Sequence, residues 1–125
     1  MTAVRAARIV GSEGSVRVFE GAEENVERIR RAFELNGVTD RCTVERAVVG
    51  PPRNVWGDTE GAPRVDPSDL PSCDVLELDC EGAELEILRT LEFVPRVVIV
   101  EVHPWLFDAD VGAVEDRLAE MGHTI

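Results

Sequence analysis

Apolar and polar positions along this chain follow two periods that take turns, one close to two residues and one close to 3.6. Residues 3–10, Ala-Val-Arg-Ala-Ala-Arg-Ile-Val, read as the end of a helix closed by Gly11. Ser15 to Phe19 alternate and stop at Glu20-Gly21, a strand with a turn behind it. A helix follows, with Ala22, Val26, Ile29 and Phe33 on one stripe at i, i+4, i+7 and i+11. Glu23 and Glu24 occupy its first turn, where the helix dipole favours anions. Glu24–Arg28 and Glu27–Arg31 are spaced as i,i+4 pairs on its wet face, and Asn36-Gly37 supplies a left-handed stop.

The pattern then repeats. Cys42 to Val49 reads as the next strand, and residues 50–72, rich in Pro, Gly and Asp and containing Trp56, as a long loop. Within that loop Asp66-Pro67-Ser68-Asp69-Leu70 has the makings of one helical turn. Strand Val75–Leu78, helix Glu84–Leu91, strand Arg96–Val102 and helix Val111–Met121 complete the series. Gly122-His123-Thr124-Ile125 reads as the start of a further strand. Alternating strand and helix predicts an α/β class with a mainly parallel sheet covered on both faces, in a single domain spanning 1–125. The nearly unbroken apolar runs Val75–Leu78 and Val97–Val100 suit central strands.

Composition narrows the function. The formal charge is -12 across 125 residues, every one of the 13 cations is Arg, and Lys, Gln and Tyr are absent. A phosphate backbone wants a basic face, so nucleic acid is an unsuitable partner, and an anionic membrane surface would be repelled. A solvated acidic surface suited to a salt-rich cytoplasm accounts for most of the charge. No run is long enough to cross a bilayer and no secretory signal opens the chain, so a soluble, cytoplasmic protein is expected. Cys42, Cys73 and Cys80 are odd in number and widely spaced, which fits buried thiols in a reducing compartment. With His103 and His123 far apart, they assemble no structural zinc set, and no metal ligand is assigned.

The chemistry sits at the strand ends, where open parallel sheets bind their ligands. Glu20 ends the strand before the first full helix, the position from which a carboxylate takes both ribose hydroxyls of a nucleotide; it is otherwise a polar strand terminus. Asp79, Glu81 and Glu84 crowd the next rim. Capping and the helix dipole alone account for Glu81 and Glu84, whereas Asp79 projects from the end of an apolar strand. Asp79-x-Glu81 could also hold Mg²⁺, although one or two carboxylates are a weak signal. Glu101 and His103 share a parity, and His103-Pro104 breaks the strand and leaves an imidazole near the mouth. Such an imidazole can take a proton from a hydroxyl nucleophile, or serve simply as a satisfied polar residue. Trp105 and Phe107 beside it are core or pocket wall.

Together these residues resemble a family. Phe19-Glu20, the helix end Glu34-Leu35-Asn36-Gly37-Val38, the run Leu78-Asp79-x-Glu81-Gly82-Ala83-Glu84 and Val100-Glu101-Val102-His103 are similar, in order and spacing, to the FkbM-type S-adenosylmethionine-dependent methyltransferases. The resemblance runs from about residue 3 to 121. It implies a doubly wound, Rossmann-like class I methyltransferase sheet, S-adenosylmethionine as cofactor, and O-methylation of a small hydroxyl-bearing substrate such as a sugar. It further implies Glu20, Gly21, Ala47 and Asp79 at the cofactor, His103 and Asp79 as catalytic groups, and Glu81 and Glu101 at the substrate rim. The family's apolar first strand and D-x-G-A-x-x-G turn are not in the chain, so it reads as a methyltransferase domain truncated at both ends. A missing strand leaves unpaired backbone on its neighbours, and self-association through exposed sheet edges is expected.

Two other classes compete. A non-catalytic, methyltransferase-like remnant or interaction module is favoured by the missing glycine-rich turn. A nicotinamide-dinucleotide fold would use Glu20 equally well but lacks any G-x-G-x-x-G, and a Mg²⁺-dependent phosphoryl-transfer enzyme lacks a phosphate loop.

Overall fold

Two parallel strand pairs, each with helices on one side, organise the chain in a computed structural model that describes residues 2–51, 57–103 and 111–125. Trp56, Trp105 and Phe107 lie outside the described residues. The chain divides into two units, one of residues 1–48 and 56–64, the other of residues 49–55 and 65–125.

The first unit holds α1 (Thr2–Val10), β1 (Val16–Glu20), α2 (Glu23–Asn36) and β2 (Cys42–Arg46). β1 and β2 run parallel in register from Val16 opposite Cys42 to Glu20 opposite Arg46. Parallel neighbours need a crossover, and α2 provides it. Its apolar stripe is the buried one: Ala22, Val26 and Phe33 are 2%, 0% and 3% exposed. Phe33 joins Val4, Ala7, Val38 and Cys42 in the core of this unit, against Val16, Val18 and Val44 of the strands. Gly37 ends α2 at φ 62°, as its place after Asn36 predicts. Its N–H donates to the Glu34 carbonyl while that of Val38 donates to Phe33, and the two apolar partners of this closure are buried together. The Glu24–Arg28 pair forms, but Arg31 turns to Glu34 at 3.0 Å rather than to Glu27. At such exposure either choice contributes little, so spacing alone does not decide between them.

The strand expected over Cys42–Val49 is interrupted. The Ala47 N–H still donates to the Glu20 carbonyl at 3.0 Å, but β1 has by then turned toward α2 and offers no further ladder. Val48–Val49 (β3) pairs instead with Arg64–Val65 (β4), so the segment 50–72 is not wholly loop. The helical turn expected near Asp66 is a 3-10 turn at Pro67–Asp69, opened by the Asp66 carboxylate accepting from the Ser68 N–H and hydroxyl at 2.9 and 2.7 Å.

The second unit holds that turn, β5 (Val75–Leu78), α3 (Glu84–Thr90), β6 (Val97–Val100) and α4 (Val111–Glu120). β5 and β6 are parallel, from Val75 opposite Val97 to Leu78 opposite Val100. Leu78, Ala83, Ile87, Leu88, Leu91 and Val114 form its core, with Leu76, Val98, Val100 and Leu118 packed on it. The Arg117 Nε–H of α4 donates to the Leu88 carbonyl at 3.1 Å, satisfying backbone in the last turn of α3.

Two expectations change here. β5 and β6 bury one face only, since Val75, Val97 and Ile99 on the other are 48–55% exposed; an unbroken apolar run does not itself supply a cover for both sides. Residues 122–125 form no strand: Gly122, at φ 91°, closes α4, with its N–H on Ala119 and that of His123 on Leu118. Among the described residues the strands form three two-stranded sheets, of which β1–β2 and β5–β6 are parallel, so the class is α/β with parallel strands. Among the described residues, no helix is long and apolar enough to cross a membrane.

Candidate functional site

Each parallel pair ends in a cluster of the residues singled out from the sequence. In the first unit the backbone of Glu20 and Ala47 meets through the bond above, and Gly21 follows directly. Glu20 is half-buried, and its Oε1 accepts the Ala22 N–H at 2.8 Å, which holds the carboxylate at the strand end. Ala47 is 5% exposed. Gly21 is required by packing: a Cβ there would lie 2.7 Å from a Val48 methyl and 2.8 Å from that of Thr59. Beside them a cleft of about 230 Å³ is lined by Ala22, Glu23, Asn25, Arg46, Gly57 and Asp58. Arg46 pairs with Glu23 at 2.9 Å and donates to the Glu60 carbonyl at 2.9 Å. Sequence reasoning missed this arginine, because only the β1–β2 register, which sets it opposite Glu20, brings it to the rim.

In the second unit the turn from β5 to α3 gathers five polar residues. Glu81 sits at φ 51°, a left-handed conformation rare for a residue with a side chain, and Gly82 at φ 99° continues the reversal. Glu84 in the first turn of α3 is 1% exposed. Its Oε1 accepts the N–H groups of Cys80 and Gly82 at 3.0 and 3.1 Å, folding the turn back over its own carboxylate. The same oxygen stands 3.4 Å from Nδ1 of His103, which is 7% exposed. On the far side of the ring, Nε2 faces Asp79 Oδ1 at 3.5 Å, Glu81 Oε2 at 3.8 Å and Glu101 Oε1 at 3.8 Å.

Asp79, Glu81, Glu101 and His103 are thus brought together, as their placement at neighbouring strand ends predicts. Glu101 and His103 meet although β6 has already ended at Val100. The residue undervalued from sequence is Glu84, which is a buried orienter and not a solvated cap. Its signal was the Glu-Gly-Ala-Glu spacing, which lets a carboxylate reach the amides two and four residues back. Cys80 lies against this group, and its thiol is pushed up to about 12 by burial first and by the Glu84 charge second. It therefore stays neutral at ordinary pH and is no nucleophile.

An α/β chain of parallel pairs, with acids and an imidazole at the carboxyl ends of its strands, belongs to the class of folds that bind ligands at that edge. Residues 65–125 match the family model of the methyltransferase FkbM domain, which bears out over that stretch the resemblance read from the residues. Asp79, Glu81, Glu84, Glu101 and His103 all lie inside the match, and Glu20, Gly21 and Ala47 lie before it. Searches among curated proteins and among solved structures gave no match. The match supports a methyltransferase, and such a family implies S-adenosylmethionine in general terms. At the β1–β2 rim the Glu20 carboxylate is held at the strand end by the Ala22 N–H, and Glu20 itself is not among the residues lining the neighbouring cleft. The glycine-rich pattern for the cofactor's methionine end is not among the 125 residues.

Proposed function

We propose that the chain is an S-adenosylmethionine-dependent methyltransferase domain whose strands form part of a doubly wound, Rossmann-like class I sheet. Its reaction is O-methylation of a small hydroxyl compound such as a sugar. The observation that carries this reading is the family match over 65–125, which contains the Asp79–His103 cluster. When bound, the cofactor supplies an electrophilic methyl group on a sulfonium. In the first unit Glu20 accepts hydrogen bonds from the ribose hydroxyls, with Gly21 and Ala47 as further cofactor contacts. Glu81 and Glu101 line the acceptor's entrance.

Glu84 holds Nδ1 of His103, so that Nε2 faces the rim and Asp79. His103 or Asp79 would take the proton of the acceptor's hydroxyl, and the bound cofactor would supply the methyl group, its sulfur leaving as a neutral thioether. A positioned base of this kind contributes about 10²–10⁴-fold, and holding the reactants in line is equivalent to effective molarities of about 10⁵–10⁸ M. Photolabelling tests the cofactor contact. Ultraviolet irradiation with methyl-labelled S-adenosylmethionine should place label in the tryptic peptide Val18–Arg28. Label confined to other peptides contradicts the placement.

Self-association belongs to the same reading. Among the described residues β1 pairs only with β2 and β5 only with β6, so each has one edge without a strand. Light scattering should show a mass above the 13.8 kDa monomer that grows with concentration, and a constant monomer mass contradicts it.

A further inference from the structure

We infer that the free edge of β2 is where two copies of this chain meet, pairing antiparallel about Val44 so that two β1–β2 sheets join into one of four strands. The contact rests on the self-association proposed above and gives it a place and a symmetry.

The backbone of β2 is the first ground. β1 occupies one side of it in parallel register, and among the described residues no strand occupies the other. In such a ladder, residues of one parity turn their polar groups to the neighbouring strand. The Arg41 carbonyl accepts from the Val16 N–H at 2.8 Å, and the Ala47 N–H donates to the Glu20 carbonyl at 3.0 Å, so the odd-numbered residues face β1. The N–H and carbonyl of Val44 therefore face away from β1, in the middle of an edge that can take another strand.

A groove beside that edge is the second. It has a volume of about 310 Å³ and is lined by Arg30, Phe33 and Glu34 of α2 and by Cys42, Thr43 and Val44 of β2. Its floor is apolar, since Phe33 and Cys42 are 3% and 6% exposed and belong to the core of the unit. Opposite residues of antiparallel strands carry their side chains on one face. Pairing Val44 with its own counterpart thus brings the second copy's Val44 to the mouth of the groove.

Charge selects a second copy as the occupant. Arg30 and Glu34 stand one helical turn apart on the α2 wall of the groove. Among the described residues Glu34 pairs only with Arg31, both exposed, a contact that contributes little, and Arg30 makes no ion pair. A twofold axis through Val44 reverses the direction of the second α2, so Arg30 of each copy comes to Glu34 of the other. The surface is complementary to itself, as an isologous contact requires. On the opposite face of the strands the same axis sets Thr43 against Glu45, both exposed, so no anion meets its own image. A foreign strand could use the edge, but a copy brings both charges in reversed order by symmetry.

Sedimentation of the whole chain tests this at physiological ionic strength, which screens the charge of -12 per copy but not contacts closer than about 8 Å. The mass should rise with concentration and level at twice 13.8 kDa, because a closed twofold contact uses up the edge that forms it. Val44→Pro removes an N–H that β1 does not use; it should keep the circular dichroism spectrum and weaken the dimer about tenfold or more. Arg30→Glu acts twice per dimer by setting anion against anion, and should also weaken it about tenfold. Adding Glu34→Arg to Arg30→Glu should restore the affinity, which a merely structural effect of either change would not do. Association that Val44→Pro and Arg30→Glu both leave unchanged overturns the β2 contact alone. A constant monomer mass overturns it together with the self-association on which it rests.

Discussion

Replacing Glu84 by Ala should lower the unfolding free energy by about 3–5 kcal/mol, the range for removing one partner from a buried, charged network. Its carboxylate answers the amides of Cys80 and Gly82 and lies beside Nδ1 of His103, at 1% exposure. Truncation leaves two amides of a left-handed turn without their acceptor and a buried imidazole without its orienter. Hydrogen bonds to a charged group contribute about 1.5–3 kcal/mol each, so the turn at Glu81-Gly82 should loosen together with the start of α3. Glu84→Gln keeps a carbonyl oxygen in the same place and should cost only about 1–2 kcal/mol. Urea denaturation followed by circular dichroism measures both. An Ala variant within about 1 kcal/mol of the parent would show that the network is not formed in solution.

The second large effect belongs to the core beneath that turn. Ile87 is fully buried in α3, between Leu78 of β5 and Val114 of α4 in the same cluster. Ile87→Ala should cost about 2–5 kcal/mol, the lost transfer energy of its methyl groups plus the cavity left behind. Ile9, 83% exposed on α1, serves as a control: Ile9→Ala should stay within about 0.5 kcal/mol of the parent. The same denaturation series checks both, and equal losses at the two positions would contradict the burial described.

The elements that read well from sequence are those set by local rules. The stripe of Ala22, Val26 and Phe33, the stop at Gly37 and the turn at Asp66 each follow from spacing or from one residue's conformational preference, and each is present. Parallel pairing followed from alternation of strand and helix, because a crossover helix forces it. What did not read well depends on partners distant in sequence. The break at Ala47 arises because β1 runs out of backbone beside it, and the choice of Glu34 over Glu27 by Arg31 rests on energies too small for any pattern to decide.

The site divides in the same way. Strand-end acids mark Glu20, Asp79 and Glu101 as rim residues, since an apolar strand that stops at a carboxylate delivers it to the edge. The Glu-Gly-Ala-Glu spacing allows Glu84 to reach back to the turn amides, but an acid in a helix's first turn ordinarily faces water, so its burial does not follow from the spacing. Nor could spacing show that Asp79 and Glu81 converge on one nitrogen of a histidine more than 20 residues away. The left-handed Glu81 makes that convergence possible, and nothing in its side chain announces it.

Titration calorimetry of the 125-residue chain with S-adenosylhomocysteine tests the methyl-donor assignment most directly. A saturable heat with one ligand per chain, lost in Glu20→Ala, is the expected result. A folded sample that gives no heat, or one whose affinity is the same after Glu20→Ala, would contradict it.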